Sequence, residues 1–279
     1  MSVTNGGRGG EHGQRPGSGE SSATLPLLQV ENVGKTFGSV VALQGASLSA
    51  QRGEITAIIG DNGAGKSTLI KCISGVHPHD RGEIRFDGST VSFSSPEVAR
   101  SAGIETVYQN LALVDDLTIW QNLFLNRELK RGIGPIRFLD RRAMAQRSKE
   151  MLSRLDIHIP SVEARVRRLS GGQRQAVAIS RATGWGSRLI IMDEPTAALG
   201  HRESSRVEEL ILRLRDEGLS ILVISHNFDQ VLRISDQVWV MRQGRVTGER
   251  RTKETTGDEL VAMVTGAAEE RPGERESRG

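Results

Sequence analysis

Residues 60–68 read GDNGAGKST. This is the spacing G-x-x-x-x-G-K-S/T, and it asks for a phosphate. The glycines Gly60, Gly63 and Gly65 let the backbone wrap an anion without a Cβ in the way. The amides of Asp61, Asn62, Ala64 and the residues entering the next helix would point N–H groups at its oxygens. Lys66 would add a compact positive charge near the β- and γ-phosphates. Ser67 would offer a hydroxyl to Mg²⁺, with Thr68 beside it at the helix start.

A second group supplies acids. LIIMDE occupies 189–194, an apolar run ending in Asp193 and Glu194. Side chains alternate along a strand, so the two carboxylates are expected to point differently. Asp193 is assigned to the metal, through water, and Glu194 to the attacking water as general base. A third group, LSGGQRQ at 169–175, starts 24 residues before Asp193 at Leu169. Ser170, Gly171, Gly172 and Gln173 would combine a hydroxyl, bare amides and a helix N-terminus into another phosphate site. One nucleotide has one triphosphate, so this second site suggests a nucleotide held by another subunit.

These groups need strands and helices to position them. ITAIIG (55–60), RLIIMD (188–193) and SILVIS (220–225) are short continuous apolar runs, as expected of strands buried on both faces of a parallel sheet. LLQVENV (27–33), VVALQGASLSA (40–50) and GEIRFDGSTVSF (82–93) alternate roughly and are separated by turn residues, which predicts an antiparallel β portion near the start. STLIKCI predicts a helix after the phosphate loop. Val207, Leu210, Ile211 and Leu214 make one helical stripe, with Ser205 and Glu208 as a capping box and Gly218 as the stop. Met144, Met151, Leu152 and Leu155 make another, inside a polar, helix-rich insertion of about 111–168. The fold class is α/β with a parallel-sheet core. Residues 1–26 hold seven of the 32 glycines, and 266–279 are charged without an apolar face; both read as disordered tails flanking a body at 27–265.

Composition sets the outer bounds. The chain has 279 residues, a net charge of +3 and one cysteine. That excludes an internal disulfide and a multi-cysteine metal site, and Cys72 reads as a small buried hydrophobe. The weak positive charge gives no argument for nucleic acid. No apolar run approaches the roughly 18 residues of a membrane span, and the first residues lack an apolar signal core. Trp120, Trp185 and Trp239 read as packing residues.

In order and context, these motifs resemble the ATP-binding-cassette (ABC) ATPases across nearly all of 27–265. GDNGAGKST matches Walker A, LIIMDE matches Walker B, and LSGGQRQ matches the signature. Gln109 in VYQN matches the Q-loop, His226 in ISHN the switch histidine, and Phe37 in KTFG the aromatic that stacks on adenine. The resemblance implies a P-loop NTPase fold with an inserted α-helical subdomain. It implies ATP and Mg²⁺ as ligands, with Ser67, Gln109 and Asp193 around the metal. It implies a head-to-tail dimer in which ATP on one chain's Lys66 loop faces Ser170, Gly171 and Gly172 of a second cassette. Gln109 would bridge Mg²⁺ and the insertion, which would form a groove for a membrane permease. His226 would contact the γ-phosphate.

The stretches GIETVYQNLALVDDLTIWQNLFLNRE (103–128), FLDRRAM (138–144) and MDEPTAALG (192–200) are similar to single-cassette ATPases of bacterial monosaccharide importers. The expected partners are therefore permease subunits, a second cassette, most simply a copy of this chain, and indirectly a solute-binding protein. The expected location is the inner face of the cell membrane. One departure is Gly200, where many members of the family carry Asp after Walker B. The competing readings are a cassette for another solute, a soluble ABC ATPase acting on ribosomes or DNA, and a poorly hydrolysing regulator. Intact Glu194 and His226 argue against the last.

Overall fold

The computed structural model describes residues 25–133 and 136–267. Of the predicted tails at 1–26 and 266–279, residues 1–24 and 268–279 lie outside the described residues. In chain order the elements begin with β1 (Leu28–Phe37), β2 (Val40–Ala50), β3 (Ile55–Ile59), α1 (Lys66–Ile73), β4 (Arg81–Phe86), β5 (Ser89–Val91), α2 (Pro96–Ser101) and β6 (Ile104–Val107). Then follow α3 (Ile119–Leu123), β7 (Lys130–Ile133), β8 (Ile136–Leu139), α4 (Arg141–Arg154) and α5 (Gly171–Thr183). The last are β9 (Leu189–Asp193), α6 (His201–Asp216), β10 (Ser220–Ile224), α7 (Phe228–Ile234), β11 (Gln237–Arg242), β12 (Arg245–Arg251) and α8 (Gly257–Thr265).

The central sheet runs β12-β11-β3-β10-β9-β6. Its strands from β11 to β6 are parallel, and β12 closes one edge as an antiparallel neighbour. Every residue of β3 and β10 is buried, which is why both read as unbroken apolar runs. A second sheet, β2-β1-β4-β5, is antiparallel throughout. The predicted strand at 82–93 is two strands here. Asp87 and Gly88 both have positive φ, 56° and 76°, and form the two-residue hairpin turn between β4 and β5.

Ile58, Ile191, Leu222 and Ile224 face α1 and the antiparallel sheet. Ile190, Met192, Ile221 and Val223 face α5 and α6, where Val207, Leu210, Ile211 and Leu214 form the predicted stripe. α3 and α4 build a further cluster with Trp120, Phe124, Met144 and Leu152. The insertion also contains the β7–β8 hairpin, which no expectation anticipated. Gly132 and the pairing of Arg131 with Phe138 explain it: glycine disfavours a helix, and aromatic residues fit a pleated surface.

The capping box at Ser205 and Glu208 is not formed. α6 begins one turn earlier with Gly200 as its N-cap, so Ser205 sits inside the helix and donates back to the His201 carbonyl at 3.1 Å. Glu208 instead accepts from Arg233 at 2.8 Å. Gly218, at φ 87°, does follow the helix end. Gly200 is extended, at φ −70° and ψ 164°, so nothing in the backbone requires glycine there.

Cys72 is buried in the α1 core, and burial pushes its thiol up to about 11. At pH 8 only about one thiol in a thousand would be ionised. Alkylation of the native chain at pH 8 is expected to be orders of magnitude slower than in denaturant; equal rates, followed by mass spectrometry, would contradict the burial.

Candidate active site

Parallel strands leave their carboxyl ends on one edge of the sheet, and loops there meet. β3, β10, β9 and β6 are consecutive neighbours. Gly60 follows β3, Glu194 follows β9, His226 follows β10 by two residues, and Gln109 follows β6 by two. Sheet order thus gathers residues separated by more than 160 positions in the chain.

The phosphate loop is shaped by backbone that a side chain would block. Gly60 has φ 153°, and a Cβ there would run into the Met241 carbonyl oxygen. Gly65 has φ 98°, and a Cβ would lie 2.8 Å from the Ala42 carbonyl oxygen. Lys66 opens α1. Its ammonium folds back to donate to the Gly60 and Asp61 carbonyls at 2.5 and 2.9 Å. Burial holds that ammonium below the usual lysine range, against the opposing charges of Glu194, Asp61 and Asp193. Asp61, Asn62, Gly63 and Ser67 are exposed, and Thr68 is half-buried. A buried amine at the N-terminus of a helix suits a polyanion.

The acid pair is arranged differently from the expectation. β9 stops at Asp193, so strand alternation does not orient Glu194. Glu194 adopts φ 51°, a left-handed conformation costly for a side-chain-bearing residue. Its N–H donates to the Ile224 carbonyl at 2.9 Å, which fixes the turn to the end of β10. That rotation brings Glu194 Oε1 to 2.8 Å from His226 Nδ1. Asp193 is half-buried, and its carboxyl is held above the usual range by burial first and by Glu194 second.

A brace between the two loops was not legible in the sequence. Gln230, fully buried on α7, accepts from Ser225 Oγ at 2.9 Å and donates to Thr196 Oγ1 at 2.8 Å. It therefore ties the loop after Glu194 to the loop carrying His226. The available signal was a glutamine at a position otherwise occupied by the apolar face of a short helix.

Gln109 lies exposed in the turn after β6. Phe37 ends β1 and is 42% exposed. Its ring meets His77 edge-on at 5.2 Å, with the Lys35 amine 5.4 Å from its centre. Ser170 caps α5: its hydroxyl accepts from the Gln173 N–H, and the Gln173 side chain accepts from the Ser170 N–H. Gly171 and Gly172 are packed closely. A Cβ on Gly171 would lie 2.9 Å from Leu199, and one on Gly172 would lie 3.1 Å from Glu203. The Ser170 group thus sits against the segment leading into α6, while the Glu194–His226 pair sits with the Lys66 loop.

The oxygen donors Ser67, Asp193 and Gln109 fit Mg²⁺, which takes few protein ligands and shares phosphate oxygens. The raised, desolvated carboxyl of Asp193 is the observation that suits a cation.

The family profile described as ABC transporter matches residues 43–197, which contain the phosphate loop, the Gln109 turn, the Ser170 cap and the acid pair. The chain belongs to the ABC transporter family. The xylose/arabinose import ATP-binding protein of Sulfolobus acidocaldarius is 46% identical over 242 residues, covering 87% of this chain and 95% of that protein. The fructose import ATP-binding protein of Rhizobium meliloti is 49% identical over 251 residues, covering 88% and 96%. Among solved structures, a dimeric post-hydrolysis ATP-binding cassette bound to ADP and Pi superposes with a TM-score of 0.68 at 25% identity, over 82% of this chain and all of that one. As an ABC ATPase this chain binds ATP and couples its hydrolysis to transport. Import ATP-binding subunits imply membrane permease partners. Among the described residues no helix is long and apolar enough to cross a membrane.

Proposed function

We propose that this chain is the ATP-hydrolysing subunit of a monosaccharide importer, working as a pair of cassettes on a membrane permease. The observation that carries the chemistry is the 2.8 Å contact between Glu194 and His226 beside the Lys66 loop. Lys66 and the loop amides hold the triphosphate. Glu194 takes a proton from water as its oxygen bonds the γ-phosphorus. The bond from that phosphorus to the β–γ bridging oxygen breaks, and ADP leaves with the electron pair. His226 orients the Glu194 carboxylate and approaches the γ-phosphate with the rest of its ring. Ser67, Asp193 and Gln109 would hold Mg²⁺, which when bound neutralises charge on the phosphate oxygens.

Ser170, Gly171, Gly172 and Gln173 meet the γ-phosphate of the nucleotide on a second copy of this chain. The capping hydrogen bonds at Ser170 keep α5's first turn formed for that contact. Phe37, exposed at the end of β1, stacks on the adenine. Residues 27–265 form the cassette, and the 111–168 insertion faces the permease. A cavity of about 270 Å³, walled by Tyr108, Leu123, Arg127 and Trp185, offers the permease's docking segment a seat. The chain acts at the inner face of the cell membrane, and a solute-binding protein delivers the sugar to the permease. Sugar as cargo rests on the similarity to the xylose/arabinose and fructose import proteins.

The test is a pull-down of the Glu194→Gln variant, with ATP and Mg²⁺, from gently solubilised native membranes. A permease together with a sugar-binding protein is the expected catch. Ribosomal proteins or nucleic acid without a permease would overturn the reading, and a permease with a binding protein for another solute class would correct the cargo.

A further inference from the structure

The turn that carries Gln109 is held in an uncommon conformation. Leu111 and Ala112 both have positive φ, 56° and 45°. Side-chain-bearing residues rarely adopt it once, and two in a row need outside support. Inside the turn, the Leu111 N–H donates to the Tyr108 carbonyl at 2.8 Å and the Ala112 N–H to the Asn110 carbonyl at 2.7 Å. The carbonyls of the two strained residues are both taken by one side chain. Arg181 donates from Nη2 to the Leu111 oxygen at 2.9 Å and from Nη1 to the Ala112 oxygen at 2.8 Å.

This is a poor place to keep a guanidinium for stability alone. Arg181 is half-buried, and its charge is disfavoured by burial and by the neighbouring Arg100 and Arg127. Glu105 opposes them, but Glu105 is already bonded to Arg127 at 2.5 Å. Arg181 also lies on α5, 11 residues after the Ser170 cap. Over that span a helix is a rod of about 16 Å, hydrogen-bonded throughout.

We propose that Arg181 is a positioning residue that ties α5, and with it the Ser170 end, to the Gln109 turn, so that these two nucleotide-facing parts of one chain move together. This rests on the reading that Ser170 meets the partner's nucleotide and Gln109 the chain's own. A shift of α5 when Ser170 engages is delivered to the Leu111 and Ala112 carbonyls through a planar two-pronged grip. Lysine has no such fork and cannot hold both oxygens in the same geometry. Released, the strained turn relaxes and Gln109 loses its placement.

The test compares the full chain as wild type, Gln109→Ala, Arg181→Lys and the double variant, reading kcat, KM for ATP, the Hill coefficient and Tm. Gln109→Ala is expected to lower kcat tenfold or more. Arg181→Lys is expected to lower kcat about tenfold, with KM and Tm near wild type and a Hill coefficient falling toward 1. The double variant should be no slower than Gln109→Ala, because Arg181 acts through that turn. Losses that multiply, or wild-type kcat and Hill coefficient in Arg181→Lys, would overturn the proposal. A Gln109→Ala variant with wild-type kcat would instead remove the reading of Gln109 itself, and the proposal with it. Should Arg181→Lys not fold, Arg181→Met keeps the apolar stem but removes both donors to the Leu111 and Ala112 carbonyls, without leaving a charge buried. It should reproduce the loss of kcat and of cooperativity, and unchanged values there would also overturn the proposal.

Discussion

Glu194→Gln is expected to cut ATP hydrolysis by about 10²- to 10⁴-fold, the range of a positioned general base, while ATP binding stays close to wild type. The substitution keeps the shape of the side chain and removes its capacity to take a proton. The left-handed backbone at φ 51° and the hydrogen bond to the Ile224 carbonyl do not depend on that charge, so the turn is retained. Glutamine can still face His226 Nδ1, now 2.8 Å from the carboxylate oxygen, through one of its two terminal atoms. Binding energy is therefore separated from chemistry. With two copies, undestroyed ATP should accumulate at the interface, and size-exclusion chromatography with ATP should show a larger fraction of dimer than wild type. Phosphate release at the wild-type rate would remove Glu194 from the base role and leave the Glu194–His226 contact a structural one.

The second large effect is on binding. Lys66→Ala is expected to weaken ATP binding by about 100-fold, which corresponds to one or two hydrogen bonds to a charged group at about 1.5–3 kcal/mol each. The folded chain should tolerate the change. Alanine suits the first position of a helix, and the ammonium it removes is one that burial already disfavours. Thermal unfolding reads both consequences together. For wild type, ATP at about 100 times its Kd stabilises the fold by about 2.7 kcal/mol, or roughly 5–11 °C in Tm for a domain of this size. The variant should unfold near the wild-type temperature without nucleotide and gain little at the same ATP concentration. An undiminished ATP shift in Lys66→Ala would contradict the phosphate-loop assignment. A large fall in Tm without nucleotide would show instead that the lysine's bonds to the Gly60 and Asp61 carbonyls are structural.

Much of this protein is written locally. The G-x-x-x-x-G-K-S spacing fixes which backbone amides line up, because each glycine answers a conformation set within a few residues: Gly60 and Gly65 adopt φ 153° and 98°. The mostly apolar runs at β3, β9 and β10 report burial on both faces, since neither face of these strands meets water. The helical stripe of α6 reports one buried face by its period. These features depend on neighbours along the chain, so the residue pattern carries them.

Other features depend on neighbours across space. The sequence could name Asp193 and Glu194, but strand alternation does not set the direction of Glu194, which lies beyond the end of β9. Glu194 turns because the end of β10, some 30 residues later, accepts its N–H. The start of α6 moved from Ser205 to Gly200, and Glu208 was drawn to Arg233 and Gln230 on a different helix rather than to a cap. Gln230 braces two loops and Arg181 grips the Gln109 turn, yet neither stands in a motif. Their roles exist only where sheet order and helix packing bring distant carbonyls and hydroxyls within 3 Å. Residue types and spacing were enough to propose the chemistry: a phosphate cradle, a base and a metal carboxylate. The aim of each group was left to the tertiary structure, because hydrogen bonds between segments far apart in the chain leave no period or spacing to read.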